Sequence, residues 1–253
     1  MQQLADTFWN LRGVHRIAGL IDIGTHMSVA QRPGGGFIVI DGCTLEDEAR
    51  EALMALTGQG ARVEAVIHVH PFHTLHVEAT HALLPRAVLY GTARHRERLP
   101  TLPWAGAPVE AWGADHPLAD TLDLSVPAGV DFVCVDESVH VASVLVRHRA
   151  SGIVHVDDTL NVLAAPGSLG ELLPQSSLRM HPMLGKALKT EPGATDAYAG
   201  WARDLALRWA DTPIVCAAHS AVRTLAPGGF REEVEAALAK VSATLEKHRK
   251  QYG

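Results

Sequence analysis

The order of strand-like and helix-like segments limits the folds open to this chain more than any other feature. Residues 19–41 hold short apolar runs around a Pro-Gly-Gly-Gly turn, which indicates a β meander. A helix is predicted over 45–57, and a buried strand follows over 63–67. Further strands are predicted at 86–91, 130–136, 142–148 and 152–158. The alternation predicts two β/α halves packed as one layered α/β domain.

The C-terminal region predicts two helices with a strand between them. Residues 197–211 carry aromatic and leucine side chains at four-residue spacing, which is typical of a helix with one buried face. Residues 214–219 form a short apolar run that predicts a buried strand. Residues 230–251 have the apolar stripe of a single surface helix. The chain therefore ends as helix, strand and helix.

Composition excludes several classes of protein. The chain has 253 residues, of which 47% are hydrophobic and 20% charged, so it can bury a sizeable core. Its formal net charge is −6 and it has no long basic run, so we expect no nucleic-acid partner. No apolar segment reaches the ~18 residues of a membrane helix and none resembles a signal peptide, so no membrane partner is expected. Three widely spaced cysteines favour a reducing, cytoplasmic location.

Histidine is the enriched residue type, with 15 in the chain. The sequence IHVHPFH places His68, His70 and His73 directly after the predicted strand at 63–67, and His76 follows. Histidine is the commonest metal ligand in proteins, and its imidazole suits both zinc and iron. This segment therefore predicts a metal site at the end of a strand.

Three further candidate ligands also stand beside predicted strands. Asp158 follows the strand IVHV, His219 follows IVCAA, and His140 stands between VDFVCVD and ASVLV. Loops at one end of the strands of an α/β sheet converge in space, and sites are assembled there. Their placement predicts that these side chains share a site with the histidine cluster.

In order and approximate spacing these motifs resemble the metallo-β-lactamase superfamily. That family has H-x-H-x-D-H after a strand, then a single histidine, then an aspartate in a G-D-T-like turn, then a last histidine near a C-terminal strand. This chain has HVHPFH, SVHVASV, VDDTL and CAAHS in that order, and DIGTHMSVAQRPGGGFIVIDG resembles the family's first meander. The resemblance spans roughly residues 20–220. It implies one domain over 1–253 with a four-layer αββα sandwich fold.

The resemblance also implies a function and a ligand set. The chain would be a metal-dependent hydrolase that attacks a small-molecule substrate with a metal-bound water. Zinc is the implied cofactor, as one or two ions, and iron or another divalent metal is an alternative. Asp158 would bridge the ions and act in catalysis as a ligand or as the group that orients the water. The first site would use His68, His70 and His140, and the second would use His73 and His219.

Phe72 departs from the family pattern, which has an aspartate at this position. A phenylalanine has no lone pair to offer a cation, so the second site is weakened. Three outcomes stay open: one ion, two ions with a further ligand such as His76 or His26, or a degenerate site without catalysis. Phe72, His76 and His26 are therefore predicted to line the pocket.

Two alternatives to the hydrolase remain at this stage. The first is a binding or structural protein on the same fold with a vestigial metal site, which Phe72 favours. The second is a TIM-barrel amidohydrolase, because H-x-H after a strand also opens that family. The β-rich segments at 19–41 and 130–158 do not fit eight β/α units, so the barrel is ranked last.

Overall fold

The computed structural model describes residues 1–13, 16–17, 21–22, 25–162, 176–218 and 222–253. The chain divides into two compact units, Met1–Asp123 with Val146–Ser151 and Leu124–Leu145 with Gly152–Gly253. Each unit contains a hydrophobic cluster built from its own buried residues.

The first unit contains a six-stranded sheet. Its strands are β1 (Gln2–Ala5), β2 (Phe8–Gly13), β5 (Thr25–Gln31), β6 (Phe37–Ile40), β7 (Val63–Ile67) and β8 (Val88–Tyr90). Two short strands, β3 (Arg16–Ile17) and β4 (Ile21–Asp22), pair with each other separately. Its helices are α1 (Asp47–Leu56), α2 (Val77–Leu83) and α3 (Ala93–Arg98), and a 3₁₀ turn spans Val109–Ala111. The sheet order is β1-β2-β5-β6-β7-β8.

The pairing within this sheet changes from antiparallel to parallel at β6. The four strands from β1 to β6 pair antiparallel in order, whereas β6, β7 and β8 pair parallel. Helices α1 and α2 make the two connections that parallel strands need. All four residues of β6 are buried, as the apolar run FIVI predicts. The carboxyl ends of these three strands therefore open at one edge of the sheet.

The remaining elements follow residue 121. The strands are β9 (Leu122–Ser125), β10 (Leu145–His148), β11 (Val154–Val156), β12 (Leu160–Asn161), β13 (Arg179–Met180), β14 (Ile214–Ala217) and β15 (Val222–Thr224). The helices are α4 (Leu184–Ala187), α5 (Ala194–Arg208), α6 (Gly229–Lys240) and α7 (Ser242–Tyr252). A five-stranded sheet has the order β15-β14-β11-β10-β9, with β11 and β14 parallel and β14 and β15 antiparallel. β12 and β13 pair separately.

Helix α5 supplies much of the second unit's core. Trp201, Leu205 and Trp209 are all buried, which confirms the four-residue spacing read from the sequence. The indole N–H of Trp201 donates to the hydroxyl oxygen of Ser125 at 2.9 Å, so its one polar atom is satisfied. No helix among the described residues has the length and hydropathy needed to cross a membrane.

The predicted strand over 130–136 is wrong. Its alternation is present, because Val130 and Cys134 are buried while the valines between and after them are exposed. Pairing is limited to an isolated bridge between Val130 and Leu188 among the described residues. Asp136 then ends the segment, because its carboxylate accepts from the backbone N–H and the hydroxyl two residues later. The alternation of apolar residues predicted which side chains are buried, but it does not indicate whether a neighbouring strand is present to pair with.

The single helix predicted over 230–251 is also wrong, because it is broken at Val241. This residue has φ −97° and ψ 5°, and its N–H donates to the carbonyl of Leu238. Valine loses side-chain freedom in a helix, which makes it a weak point in the helical run. The break lets α7 bury Leu245 while it packs against α4 and α5. The predicted apolar stripe is retained across both helices.

Gly129 gives a test of this packing. It has φ +72°, and a Cβ at this position would overlap the carbonyl oxygen of Ala194. Gly193 also has positive φ, at +83°, but has open space around it. We expect Gly193→Ala to lower the free energy of unfolding by about 1–2 kcal/mol, and Gly129→Ala to lose about 1–3 kcal/mol more. Urea unfolding followed by tryptophan fluorescence measures both, and equal losses would contradict the close approach.

Candidate metal centre

The candidate site of the first unit begins at the carboxyl ends of β6, β7 and β8. Asp41 follows β6, His68 follows β7, and Thr92 stands shortly after β8. The chain stays tied to the sheet here, because the N–H of Asp41 donates to Ile67 O at 2.8 Å and that of His68 donates to Tyr90 O at 2.9 Å. Parallel pairing thus places three polar side chains at one edge, of which the sequence analysis predicted His68.

Asp41 links the end of β6 to the histidine segment. Its backbone has φ +57°, a left-handed conformation that aspartate and asparagine tolerate better than other non-glycine residues. One carboxylate oxygen accepts from the N–H of Val69 at 2.9 Å, and the same oxygen lies 3.8 Å from Nδ1 of His68. Asp41 therefore orders the backbone between the first two histidines. The sequence analysis did not single it out.

His68 is a buried, neutral imidazole. Burial lowers the pKa of His68 well below its ordinary value, and repulsion from neighbouring histidines lowers it further. Its Nε2 is buried and has no hydrogen-bond partner among the described residues. A buried ring nitrogen without a partner is costly unless something binds it. A neutral imidazole with an unsatisfied nitrogen fits a metal ligand.

His70 and His73 face each other across a tight turn. The N–H of His73 donates to His70 O at 3.0 Å, and the two rings stack with centroids 3.9 Å apart. Their potential ligand atoms lie within 4.8 Å of each other. The N–H of Phe72 donates to Nδ1 of His70 at 3.2 Å, so that nitrogen carries a lone pair in the neutral ring. To bind a cation through Nδ1, His70 would have to give up this hydrogen bond.

Phe72 places an aromatic ring where the family has an acid. The side chain is half-buried, and its ring centroid lies 6.1 Å from that of His70. The guanidinium carbon of Arg94 lies 4.4 Å from the ring centroid of Phe72, within cation–π range. The weakening of a second metal site stays a prediction.

His95 is a component of this cluster that the sequence analysis missed. Its ring is fully buried and lies against His68 and Trp104, with centroids 5.4 and 5.8 Å away. Burial lowers the pKa of His95 to about 3, so the ring is neutral at physiological pH. One sequence signal could have indicated the role of His95. Thr92 is the N-cap of α3, and His95, three residues later, forms a reciprocal capping box with it.

His76 and His26 were predicted to line the pocket, and each has a contact of its own. His76 precedes α2, and its Nδ1 lies 2.9 Å from the hydroxyl oxygen of Thr44. His26 is buried on β5, with Nδ1 3.4 Å from the side-chain nitrogen of Asn10. These contacts do not involve the stacked histidine pair. A ligand role for either residue stays a prediction.

The second unit brings His140 and Asp158 together. Nδ1 of His140 lies 3.5 Å from a carboxylate oxygen of Asp158, which is buried, while the histidine is 43% exposed. Asp158 follows β11 as predicted, and its carbonyl accepts from the side-chain amide of Asn161 at 2.7 Å. His140 follows the turn at Asp136 and not a strand.

The same segment holds a second pair that sequence reasoning did not propose as ligands. His155 and Asp157 are both buried, with potential ligand atoms within 4.8 Å of each other. His155 lies inside the apolar run IVHV, a placement typical of a core residue. His219 lies outside the described residues. A single site that joins the first unit's histidines with His140 and Asp158 stays a prediction.

Comparisons with known proteins bear on the fold. No protein-family model matches the chain, and no curated protein matches it by sequence. A metallo-β-lactamase from Erythrobacter litoralis, solved with β-mercaptoethanol in the active site, is 18% identical with a TM-score of 0.58, covering 97% of this chain and 95% of that one. A metallo-β-lactamase from Pontibacter korlensis is 13% identical with a TM-score of 0.59, covering 97% of each chain.

A third solved structure agrees with these two. A metallo-β-lactamase from Hirschia baltica is 14% identical with a TM-score of 0.58, covering 94% of each chain. At such identities the likeness establishes the fold. The chain has the α/β fold of the metallo-β-lactamases, which confirms the predicted fold class and the resemblance at the level of fold. The HVHPFH variant of the histidine motif is not addressed by these matches.

Asp41 can be tested without a metal. Asp41→Asn keeps an oxygen for the N–H of Val69 and tolerates the left-handed backbone. Asp41→Ala leaves that buried N–H without its acceptor and adds backbone strain. We expect Asp41→Ala to lower the free energy of unfolding by about 2–4 kcal/mol and Asp41→Asn by about 1 kcal/mol or less. Equal losses in urea unfolding of the two metal-free variants would show that the acceptor oxygen is unimportant.

Proposed function

We propose that this chain is a metal-dependent hydrolase that acts on a small molecule. The fold neighbours are named as metallo-β-lactamases, and candidate metal-binding histidine and aspartate side chains lie in both units. Zinc is the proposed metal, because histidine and carboxylate ligands suit it. The proposed ligands are His68, His70 and His140 for a first site, His73 and His219 for a second, and Asp158 for both. We also propose that residues 1–253 work as one domain.

The observation that carries this proposal is the buried Nε2 of His68 within a cluster of histidines. An orphaned nitrogen alone does not indicate a metal, since Nε2 of His248 is also buried without a hydrogen-bond partner among the described residues. His248, however, packs against the ring of Tyr252 in α7. His68 stands at the end of a parallel strand, followed closely by a stacked histidine pair. That combination favours a ligand set over core packing.

The chain's own residues have distinct roles in the proposed reaction. A bound divalent metal supplies Lewis-acid chemistry, lowering the pKa of water and polarising a substrate oxygen. Asp158 offers a buried carboxylate that can orient an attacking water and accept its proton. His140, with Nδ1 3.5 Å from that carboxylate, would ligate the metal beside it. Asp41 holds the backbone of the histidine segment in place.

A reducing, cytoplasmic location is proposed on the state of the cysteines. Cys43, Cys134 and Cys216 are all buried, and none of the three forms a disulfide. Burial raises the pKa of the Cys43 thiol to about 12, so this thiol is unreactive at physiological pH. Cysteines that form no disulfide are typical of proteins from reducing compartments.

A second candidate is a metal-binding protein of the same fold that does not catalyse. Phe72 favours it, because this residue removes a family ligand and carries the Arg94 guanidinium on its face. The two candidates differ in what a bound metal does. A catalytic zinc site keeps a position open for water, whereas a structural site is closed by four protein ligands.

The metal ligands are tested with a matched pair of histidine variants. Mutation of a residue that only supports a metal ligand typically weakens metal binding by roughly 10- to 100-fold. We expect His68→Gln to weaken zinc binding by more than this, because it removes a proposed ligand. His248→Gln removes an equally buried imidazole from α7 and should leave zinc affinity unchanged. Titration calorimetry of untagged, metal-stripped protein measures both affinities, and denaturation curves correct for unequal stability.

Hydrolysis is then assayed on ester, thioester, lactone and phosphodiester substrates. The hydrolase proposal expects at least one activity that zinc restores in the parent and in His248→Gln but not in His68→Gln. Zinc binding that depends on His68, with no zinc-dependent turnover of any substrate, would favour the non-catalytic candidate. Equal zinc affinity in the two variants would remove His68 from the ligand set.

Phe72 is tested by restoring the family's acid. In Phe72→Asp we expect a second equivalent of zinc to bind at least about tenfold more tightly than in the parent, about 1.4 kcal/mol. The reason is that a carboxylate oxygen is a zinc ligand and a phenyl ring is not. Calorimetry of metal-stripped protein gives the stoichiometry and both affinities.

Two variants control for added charge and for ion pairing. Leu75→Asp places the same charge on an exposed side chain of the same loop and should not change the stoichiometry. Because Arg94 would pair with the new carboxylate, Phe72→Asp is also measured with Arg94→Gln. If the parent already binds two equivalents with similar affinity, another residue fills the acid's role and Phe72 does not weaken the second site.

A further inference from the structure

We propose that His95 is a positioning residue that fixes the turn carrying His73. The inference rests on the proposed function, in which His73 is a metal ligand. His95 stands on α3, at the N3 position of the capping box. It contacts the histidine segment through its ring nitrogen and through its ring face.

The hydrogen bonds at Nδ1 determine the tautomer of His95. The backbone N–H of Thr92 donates to this nitrogen at 3.2 Å, and a backbone N–H can only donate. Nδ1 must therefore be the unprotonated nitrogen of a neutral ring. The hydroxyl of Thr92, 2.9 Å from Nδ1, then donates to it as well. The ring proton of His95 is consequently on Nε2.

The protonated Nε2 of His95 lies 3.4 Å from the carbonyl oxygen of His73. With this tautomer the nitrogen donates and the carbonyl accepts. The carbonyl belongs to the turn in which the N–H of His73 donates to His70 O. Thr92, through the imidazole of His95, thus fixes the peptide that sets the direction of the His73 ring.

Two further contacts hold the same arrangement. The rings of His95, His68 and Trp104 pack as a group of three, with centroids 5.4, 5.8 and 6.2 Å apart, so the His95 ring contacts both neighbours. The residue before it, Arg94, places its guanidinium over Phe72. Consecutive residues at the start of α3 therefore contact the consecutive residues Phe72 and His73. The first turn of α3 supports the histidine segment from outside the ligand set.

Two amide substitutions separate the roles of the ring nitrogens. The amide of glutamine reaches approximately as far as Nε2 of histidine, and that of asparagine only as far as Nδ1. His95→Gln can still donate to the carbonyl of His73, whereas His95→Asn can only satisfy Thr92. We expect His95→Asn to weaken Co²⁺ binding by about 10- to 100-fold, and His95→Gln to retain most of the parent's affinity.

His148 provides the matched control. It is a buried histidine of the same unit with both ring nitrogens engaged, Nδ1 by Ser151 at 2.9 Å and Nε2 by Gln31 O at 3.1 Å. His148→Asn and His148→Gln should bind Co²⁺ equally. In folded His95 variants, the visible absorption of bound Co²⁺ should change for asparagine and not for glutamine. Equal affinities and spectra for the two His95 variants would overturn the proposal.

A measurement on metal-free protein separates this proposal from the proposed function. Long-range ¹H–¹⁵N correlation of the parent should show His95 protonated on Nε2, and His95→Asn should shift the ring signals of His73 more than His95→Gln does. A parent that binds no metal but passes both tests would contradict the hydrolase and leave the positioning role intact. An Nδ1–H tautomer, or unshifted His73 signals, would overturn the positioning role itself.

Discussion

The parallel pairing of β6, β7 and β8 is the constraint on which the candidate centre depends. In a parallel ladder, successive strands leave the sheet at the same edge, so residues far apart in sequence meet there. Asp41, His68 and Thr92 are brought to that edge by backbone hydrogen bonds that continue past the strand ends. The helical connections make this possible, because each returns the chain to the opposite edge. A shift of one strand by one residue would turn its polar side chain to the other face.

Burial then determines the chemical state of the histidines. His68 and His95 are removed from water, and repulsion from neighbouring histidines acts on both rings as well. Their pKa values are lowered for these two reasons, so both rings are neutral. Neutral imidazole is the form that binds a metal or donates a single directed hydrogen bond. One ring has its nitrogens satisfied by Thr92 and His73, and the other has a buried nitrogen without a hydrogen-bond partner in the described part of the chain.

The sequence predicted those parts of the molecule that follow from local pattern. The apolar run over 63–67 predicted β7 with its observed bounds, and four-residue spacing predicted the buried face of α5. The segment over 130–136 failed because alternation reports which side chains are buried and not whether a partner strand is present. The ordered histidine and aspartate motifs led to the correct fold, since such an order over most of the chain is far more specific than any single motif.

The supporting residues of the candidate centre could not be found in the same way. Asp41 and His95 have no spacing relation to the histidines, and their contacts depend on three-dimensional placement. Arg94 is another residue whose contact the sequence does not reveal, because basic residues in a helix turn normally face solvent. Here its guanidinium lies on Phe72, so a position that is negative in the family has a fixed positive charge beside it. We expect this fixed charge on Arg94 to disfavour a second metal ion nearby, because two cations repel each other.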